Sequence, residues 1–192
     1  MGIKEFADDN MILEVSKASD YGVSKEIFYR YVKANDYEKI GPGMYASPFE
    51  FVDELLVLCK RCPCGVISHD EALFHYGLID REPFSHSITV YSGYNASRLK
   101  KAGYTVFYVD KSLLELGKDS VIDNLGNQIP MYDMERTIVD MFRNRSKFEI
   151  QDFSTALKTY VKRADKDLSK LSEYAKVFHV EKILRSHLEV LL

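Results

Sequence analysis

Three observations in the 192-residue sequence predict an α+β fold of two parts. The first 48 residues alternate short helical patterns with a charged strand pair around Gly41-Pro42-Gly43. Residues 49–132 mix short alternating strands with short helices, and from Asp133 onward the apolar residues recur at helical spacing. Because 46% of the chain is hydrophobic and 29% charged, it can bury a core and is not a disordered sequence. The expected domains are residues 1–48 and 49–192, the latter an α/β body (49–132) followed by a helical bundle (133–192), with Ser47-Pro48 as the boundary.

In the N-terminal part, residues 3–10 form a short helix with Ile3 and Phe6 inward, and Ile12 and Leu13 follow as buried residues. Ser16 to Tyr21 reads as a helix closed by Gly22, and Ser24 is placed to cap another running to about Asn35. Phe28, Tyr31 and Val32 stand at i, i+3 and i+4 and should face the core. Tyr37–Ile40 and Met44–Ser47 then pair around the Gly-Pro-Gly turn. Helix, glycine turn, helix and strand pair in this order are the pattern of a winged helix-turn-helix, which places one helix in a DNA groove.

In the second part, residues 49–59 read as a helix and Gly65-Val66-Ile67 as a strand. A helix over 68–76 has Ser68 as N-cap and Glu71 three residues on, a capping box. Strands follow at 86–91 and 104–109 around a short helix at 96–101. Residues 121–123 and 128–132 flank a hairpin signal at Asn124 to Asn127. Helices at 133–143, 151–163, 167–178 and 180–190 complete the chain.

If the helix opened by Ser24 packs its aromatic side inward, Lys25, Glu26, Tyr29, Arg30 and Lys33 lie outward. Ser24, Lys25, Tyr29, Arg30, Lys33 and, in the wing, Lys39 are the candidate DNA contacts. Lysine and arginine reach phosphates or a guanine edge, and tyrosine packs on a sugar or a thymine methyl. The competing reading is a solvated charged face. Residues 1–48 hold six basic and eight acidic side chains, and the whole chain carries a formal charge of −3, so bulk electrostatics do not drive binding. With so few phosphate contacts one copy binds weakly, which favours a monomer or weak dimer pairing on an inverted repeat.

Enzyme signatures are absent from the sequence. There is no Asp/Glu-x-Lys tripeptide of metal-dependent nucleases, no Gly-Ser nucleotidyltransferase entry, no P-loop and no dinucleotide fingerprint. No catalytic residue, cofactor or metal is therefore expected. Cys59, Cys62 and Cys64 admit either part of a zinc site, needing a fourth ligand such as His69, or reduced thiols at a helix end. His69 beside Asp70 fits a general base or a buried polar cluster at a helix start. Glu135, Arg136 and Asp140 fit a small active site or an ionic brace holding a helix to a sheet, with Arg136 and Asp140 at pairing distance. Lys4 and Glu5 interrupt any signal peptide, and Phe6 stands where a myristoylation signal requires Ser or Thr. The longest apolar stretch, 49–59, carries Glu50, Asp53 and Glu54, so no membrane partner and a cytoplasmic location are expected.

The order and spacing of GPGMYASP, GVISHDEALFHYGLIDREPFSHSITV, GYNASRLKKAGYTVFYVDKSLLELG, YDMERTIVDMFRNR and the tail ending HVEKILRSHLEVLL resembles the AbiEi antitoxin family of type IV toxin–antitoxin (abortive infection, phage defence) systems. The resemblance spans nearly the whole chain. It implies a winged helix that binds inverted repeats in the operon promoter and represses transcription, a C-terminal antitoxin domain, and a cognate nucleotidyltransferase-like toxin as functional partner. The acidic first helix and CKRCPCG depart from the commoner family pattern.

For the antitoxin role the tail offers a mildly basic surface, eight cations against six carboxylates from residue 151 on. Lys158, Lys162, Arg163 and Lys170 are its candidates for meeting RNA or an acidic partner, against the alternative of a solvated face. The alternative function is a protein-interaction module that neutralises a toxin by direct contact without binding DNA.

Overall fold

The chain is α+β, as its two apolar periods predict. A computed structural model describes residues 2–49, 52–123 and 125–191. The chain separates into two units, Met1–Pro63 and Cys64–Leu192.

In the first unit, α1 (Ile3–Asp9) leads to β1 (Ile12–Glu14) and a 3-10 turn (Ala18–Tyr21). Then come α2 (Lys25–Ala34), β2 (Glu38–Gly41) and β3 (Met44–Ala46). The three strands form an antiparallel sheet in the order β1-β3-β2. Strand β1 lies where the sequence reads as a connecting segment with Ile12 and Leu13 buried. Three residues are too few for an alternation to be read. The helix expected over 16–21 is one 3-10 turn, closed by Gly22 in the left-handed region at φ 68°, a conformation that glycine adopts without the Cβ clash. Phe6, Leu13, Ala18, Val23, Phe28 and Val32 make the core of this unit.

The unit continues past Ser47-Pro48 through α3 (Glu54–Arg61), because Val57 is buried with Ile12 and Met44. Helix α3 starts later than expected, where the Asp53 carboxylate accepts the Leu55 N–H at 2.9 Å. Glu50 and Phe51 of the expected helix, Asn124 of the expected hairpin turn, and the terminal Met1 and Leu192 lie outside the described residues.

The second unit is built on five strands: β4 (Val66–Ile67), β5 (Ser87–Tyr91), β6 (Thr105–Val109), β7 (Lys118–Ile122) and β8 (Gln128–Tyr132). Their order is β6-β5-β4-β8-β7, with β5/β6 and β4/β8 parallel and β4/β5 and β7/β8 antiparallel. Helices α4 (Asp70–His75) and α5 (Ser97–Lys101) connect strands. The C-terminal bundle is α6 (Met134–Arg143), α7 (Ile150–Lys162), α8 (Leu168–Val177) and α9 (Glu181–Leu191). Helix α6 is the hub: Met134 through Phe142 are all buried, and α7, α8 and α9 each pack on it. Four of those nine residues, Glu135, Arg136, Thr137 and Asp140, are polar and need partners inside the fold. Among the described residues no helix is long and apolar enough to cross a membrane.

Candidate functional site

Helix α2 separates its faces as its spacing requires. Phe28 and Val32 are buried, and Tyr31 is half-buried with its ring 5.9 Å from that of Tyr37. Ser24 caps the helix, its Oγ accepting the Ile27 N–H at 3.3 Å, so this hydroxyl already serves the fold. Lys25, Glu26, Tyr29, Arg30 and Lys33 are exposed. No carboxylate pairs with Lys25, Arg30, Lys33 or Lys39 among the described residues. Cations left unpaired on one helix face are available to an external anion.

The strand pair β2–β3 joins this face through Tyr45. Its ring meets those of Phe28 and Tyr29 edge-on, with centroids at 5.7 and 6.2 Å. Lys39 is the cross-strand partner of Tyr45, so the two side chains share the sheet face turned toward α2. Tyr29 in turn sits edge-on to Phe28 at 5.5 Å, although 45% of it remains exposed. An aromatic chain from the core thus fixes the relation between the cations of α2 and the one on β2. Tyr45 is not among the residues the sequence singles out; a tyrosine in the strand after the Gly-Pro-Gly turn is the signal that could have found it. The acidic residues of this unit include Glu14, whose carboxylate holds Lys60 at 2.6 Å and Lys17 at 3.2 Å; burial pushes its pKa up, but the two cations together outweigh burial and hold it below the ordinary glutamate value.

The second unit holds two buried polar clusters. At the β4–α4 junction His69 is buried with φ 56°, a strained backbone for a residue with a side chain. The expected capping box does not form. Ser68 Oγ bonds Thr89 Oγ1 at 2.8 Å and the His69 Nδ1 at 2.9 Å, while the Glu71 N–H donates to Ser87 Oγ and the Glu71 carboxylate bonds His86. Thr89 and Ser87 of β5 and His86 just before it took both roles, which no local spacing announces. The His69 ring stacks on Phe107 at 3.3 Å and bonds Asn144 through Nε2 at 3.0 Å. Burial, then the cations Arg143, Arg136 and Lys147, hold its pKa well below the ordinary histidine value.

The second cluster is the Glu135–Arg136–Asp140 trio. Arg136 is fully buried between the rings of Tyr132 and Phe178, each 4.1 Å from its guanidinium carbon. It pairs with Asp140 at 3.0 Å and donates to the Leu113 and Leu116 carbonyls. Glu135 accepts the Tyr160 hydroxyl and the Asp167 N–H. Every charged group of the trio braces α6 from within.

Of the four tail cations, Lys158 and Lys162 are exposed on α7. Arg163 forms a two-pronged pair with Asp165 and donates to the Tyr76 carbonyl, and Lys170 pairs with Asp133 at 3.0 Å. Two of the four are therefore committed to the fold. Cys59 is partly buried, Cys62 buried and Cys64 exposed; among the described residues no three His, Cys, Asp or Glu side chains gather as a metal site.

The chain matches no protein-family model and no curated protein. Among solved structures it is similar to the RV2827C protein from Mycobacterium tuberculosis, with a TM-score of 0.66 and 15% identity over 90% of this chain and 69% of that one. At that identity the likeness concerns the fold.

Proposed function

We propose that residues 3–46 are a winged helix-turn-helix that binds promoter DNA, within an antitoxin that represses its own operon. The observation that carries the DNA half is the split of α2. Phe28 and Val32 seat it in the core, while Lys25, Tyr29, Arg30 and Lys33 face outward unpaired, with Lys39 joined to them through Tyr45. The element order helix, strand, turn, helix and a strand pair also supports it, since in that arrangement the second helix enters the major groove and the wing meets the backbone. Inverted repeats fit the small number of cations on one copy, because two half-sites sum the contacts.

The antitoxin half rests on the resemblance to the AbiEi family, with Lys158 and Lys162 as the exposed cations of the tail that remain for it. Its functional partner is then a nucleotidyltransferase-like toxin. Gel retardation on the chain's own promoter tests the first half: Arg30→Ala abolishes the specific complex while circular dichroism stays unchanged. Retardation by the variant equal to that of the parent chain removes the assignment. Co-expression with the neighbouring toxin gene tests the second, through restored growth.

A further inference from the structure

On the outside of the bundle, α7 and α9 leave between them an open groove of about 390 Å³. Phe153 and Leu157 of α7 and Leu191 of α9 form its floor, and His187 is set edge-on against Phe142 and Phe153. Ile150 and Val190 stand on its two lips with 88% and 82% of their surface exposed, although each belongs to a regular helix whose other face is packed. Apolar side chains gathered this way mark a docking surface rather than a scatter of single exposures. Arg145 and Lys158 also line the groove, and among the described residues neither is paired with a carboxylate. Among the described residues no acidic side chain lines it.

The groove on the other side of α9 has the opposite character. It measures about 280 Å³, and its lining includes Glu181 and Arg185, which pair with each other at 3.0 Å, and Glu189. Its charges sum to one net negative, since Glu189 has no cation against it among the described residues, whereas the α7–α9 groove carries two cations.

We propose that the α7–α9 groove receives an amphipathic α-helix of a partner protein, with an apolar stripe flanked by carboxylates. The furrow between two helices accepts the side-chain ridge of a third. At 1.5 Å per residue the 13-residue α7 offers about 20 Å, room for an apolar stripe of about four turns. Arg145, whose guanidinium lies 5.1 Å from the Phe153 ring, and Lys158 have no carboxylate partner among the described residues, and so select acidic flanks and disfavour basic ones. This deepens the antitoxin reading: it rests on that reading only in assigning the groove to the toxin, and it moves Lys158 from a generally basic face to one edge of a defined furrow.

The test uses the full chain and a fluorescein-labelled peptide of about 16 residues with Leu at i, i+3, i+4 and i+7, Glu at the positions flanking that stripe, and Ala elsewhere to keep it helical. A matched peptide carrying Lys in place of Glu is the control. Fluorescence anisotropy should show saturable binding of the Glu peptide, weakened about tenfold or more by Ile150→Asp and by Lys158→Glu, and about tenfold weaker binding of the Lys peptide. Leu168→Asp, in the groove on the other side of α9, and Arg30→Ala, on α2, should leave the affinity unchanged. No binding, equal binding of the two peptides, or an affinity indifferent to Ile150→Asp overturns the proposal. So does a dimer in sedimentation that Val190→Asp dissolves, because the occupant is then a second copy. Since peptide binding and rescue from the toxin are read separately, this inference can fail while the antitoxin reading stands.

Discussion

Arg136 and Asp140 meet inside α6, Nε to Oδ2 at 3.0 Å, with neither side chain reaching solvent. Asp140 also accepts from Arg143 at 2.6 Å, so one carboxylate compensates two cations. Taking these charges out of water is costly, and removing one partner leaves the other uncompensated. Asp140→Ala is therefore expected to lower unfolding free energy by about 3–5 kcal/mol in urea denaturation. Arg136→Met combined with Asp140→Leu should cost much less, because no buried charge is left behind. A double variant as damaged as the single one would show that the pair's geometry, and not its charge compensation, holds α6.

Gly117 sets the approach of the chain to that same arginine. A Cβ there would lie 2.6 Å from the Arg136 Cβ, and its φ of 75° already excludes most side chains. The neighbouring atom is the root of a buried side chain and cannot swing away. Gly117→Ala should cost about 2–4 kcal/mol from strain and overlap together. Gly126→Ala is the comparison, since at φ 84° its Cβ meets nothing within 4 Å, and its cost of about 1–2 kcal/mol should reflect the backbone alone. Equal losses in the two variants would remove the steric part of the account.

Elements with a sustained period were legible in the sequence. Helix α2, the bundle α6 to α9 and strands β5, β6 and β8 fall within a residue or so of expectation, because each repeats its own spacing over a full element. The Arg136–Asp140 pair was legible for the same reason, an i, i+4 relation inside one helix. What escaped depends on residues distant in sequence. Ser68 and Glu71 have the spacing of a capping box, yet Thr89, Ser87 and His86 engage both once β5 pairs beside β4. The commitment of Lys170 to Asp133 and the bridge from Tyr29 through Tyr45 to Lys39 are likewise set by tertiary packing. Of the candidate site, the helix face was readable and its coupling to the β2–β3 pair was not.

Asp70 and His69 are neighbours with opposite effects on pH dependence. Burial, then the negative charge of Asp152, pushes the Asp70 pKa from its ordinary 3.8 up to about 6. The folded state thus holds a proton that the unfolded chain has released, so this contribution is present below about pH 4 and is lost as the pH rises through about 6. Asp70→Asn should therefore stabilise the protein near neutral pH, by about 1–2 kcal/mol once solvent screening of a partly exposed carboxyl is allowed for, and the gain should vanish toward pH 4. His69 is held below its ordinary 6.5, so it favours folding above that pH and weakens it on the acid side. His69→Gln should flatten the acid limb below 6.5 in thermal melts across pH, while Asp70→Asn flattens the opposite slope. A profile unmoved by either variant would show that neither group is desolvated as described.

The contacts proposed for α2 and the wing differ in what they should do to salt dependence. A lysine that meets a phosphate releases a counterion, and each such contact contributes about 0.9 to the slope of log affinity against log salt. Lys33 and Lys39 are exposed and unpaired, so Lys33→Ala and Lys39→Ala should each reduce that slope by about one on specific and unrelated duplexes alike. Arg30 is proposed to read a base edge, and Arg30→Ala should instead collapse the ratio of specific to non-specific affinity, by about ten- to a hundredfold. Titrations by fluorescence anisotropy at several salt concentrations separate the two effects. Should Lys39→Ala leave the slope intact while Lys33→Ala lowers it, the wing does not touch the duplex, and the Tyr29–Tyr45 contact serves only to pack the sheet against α2.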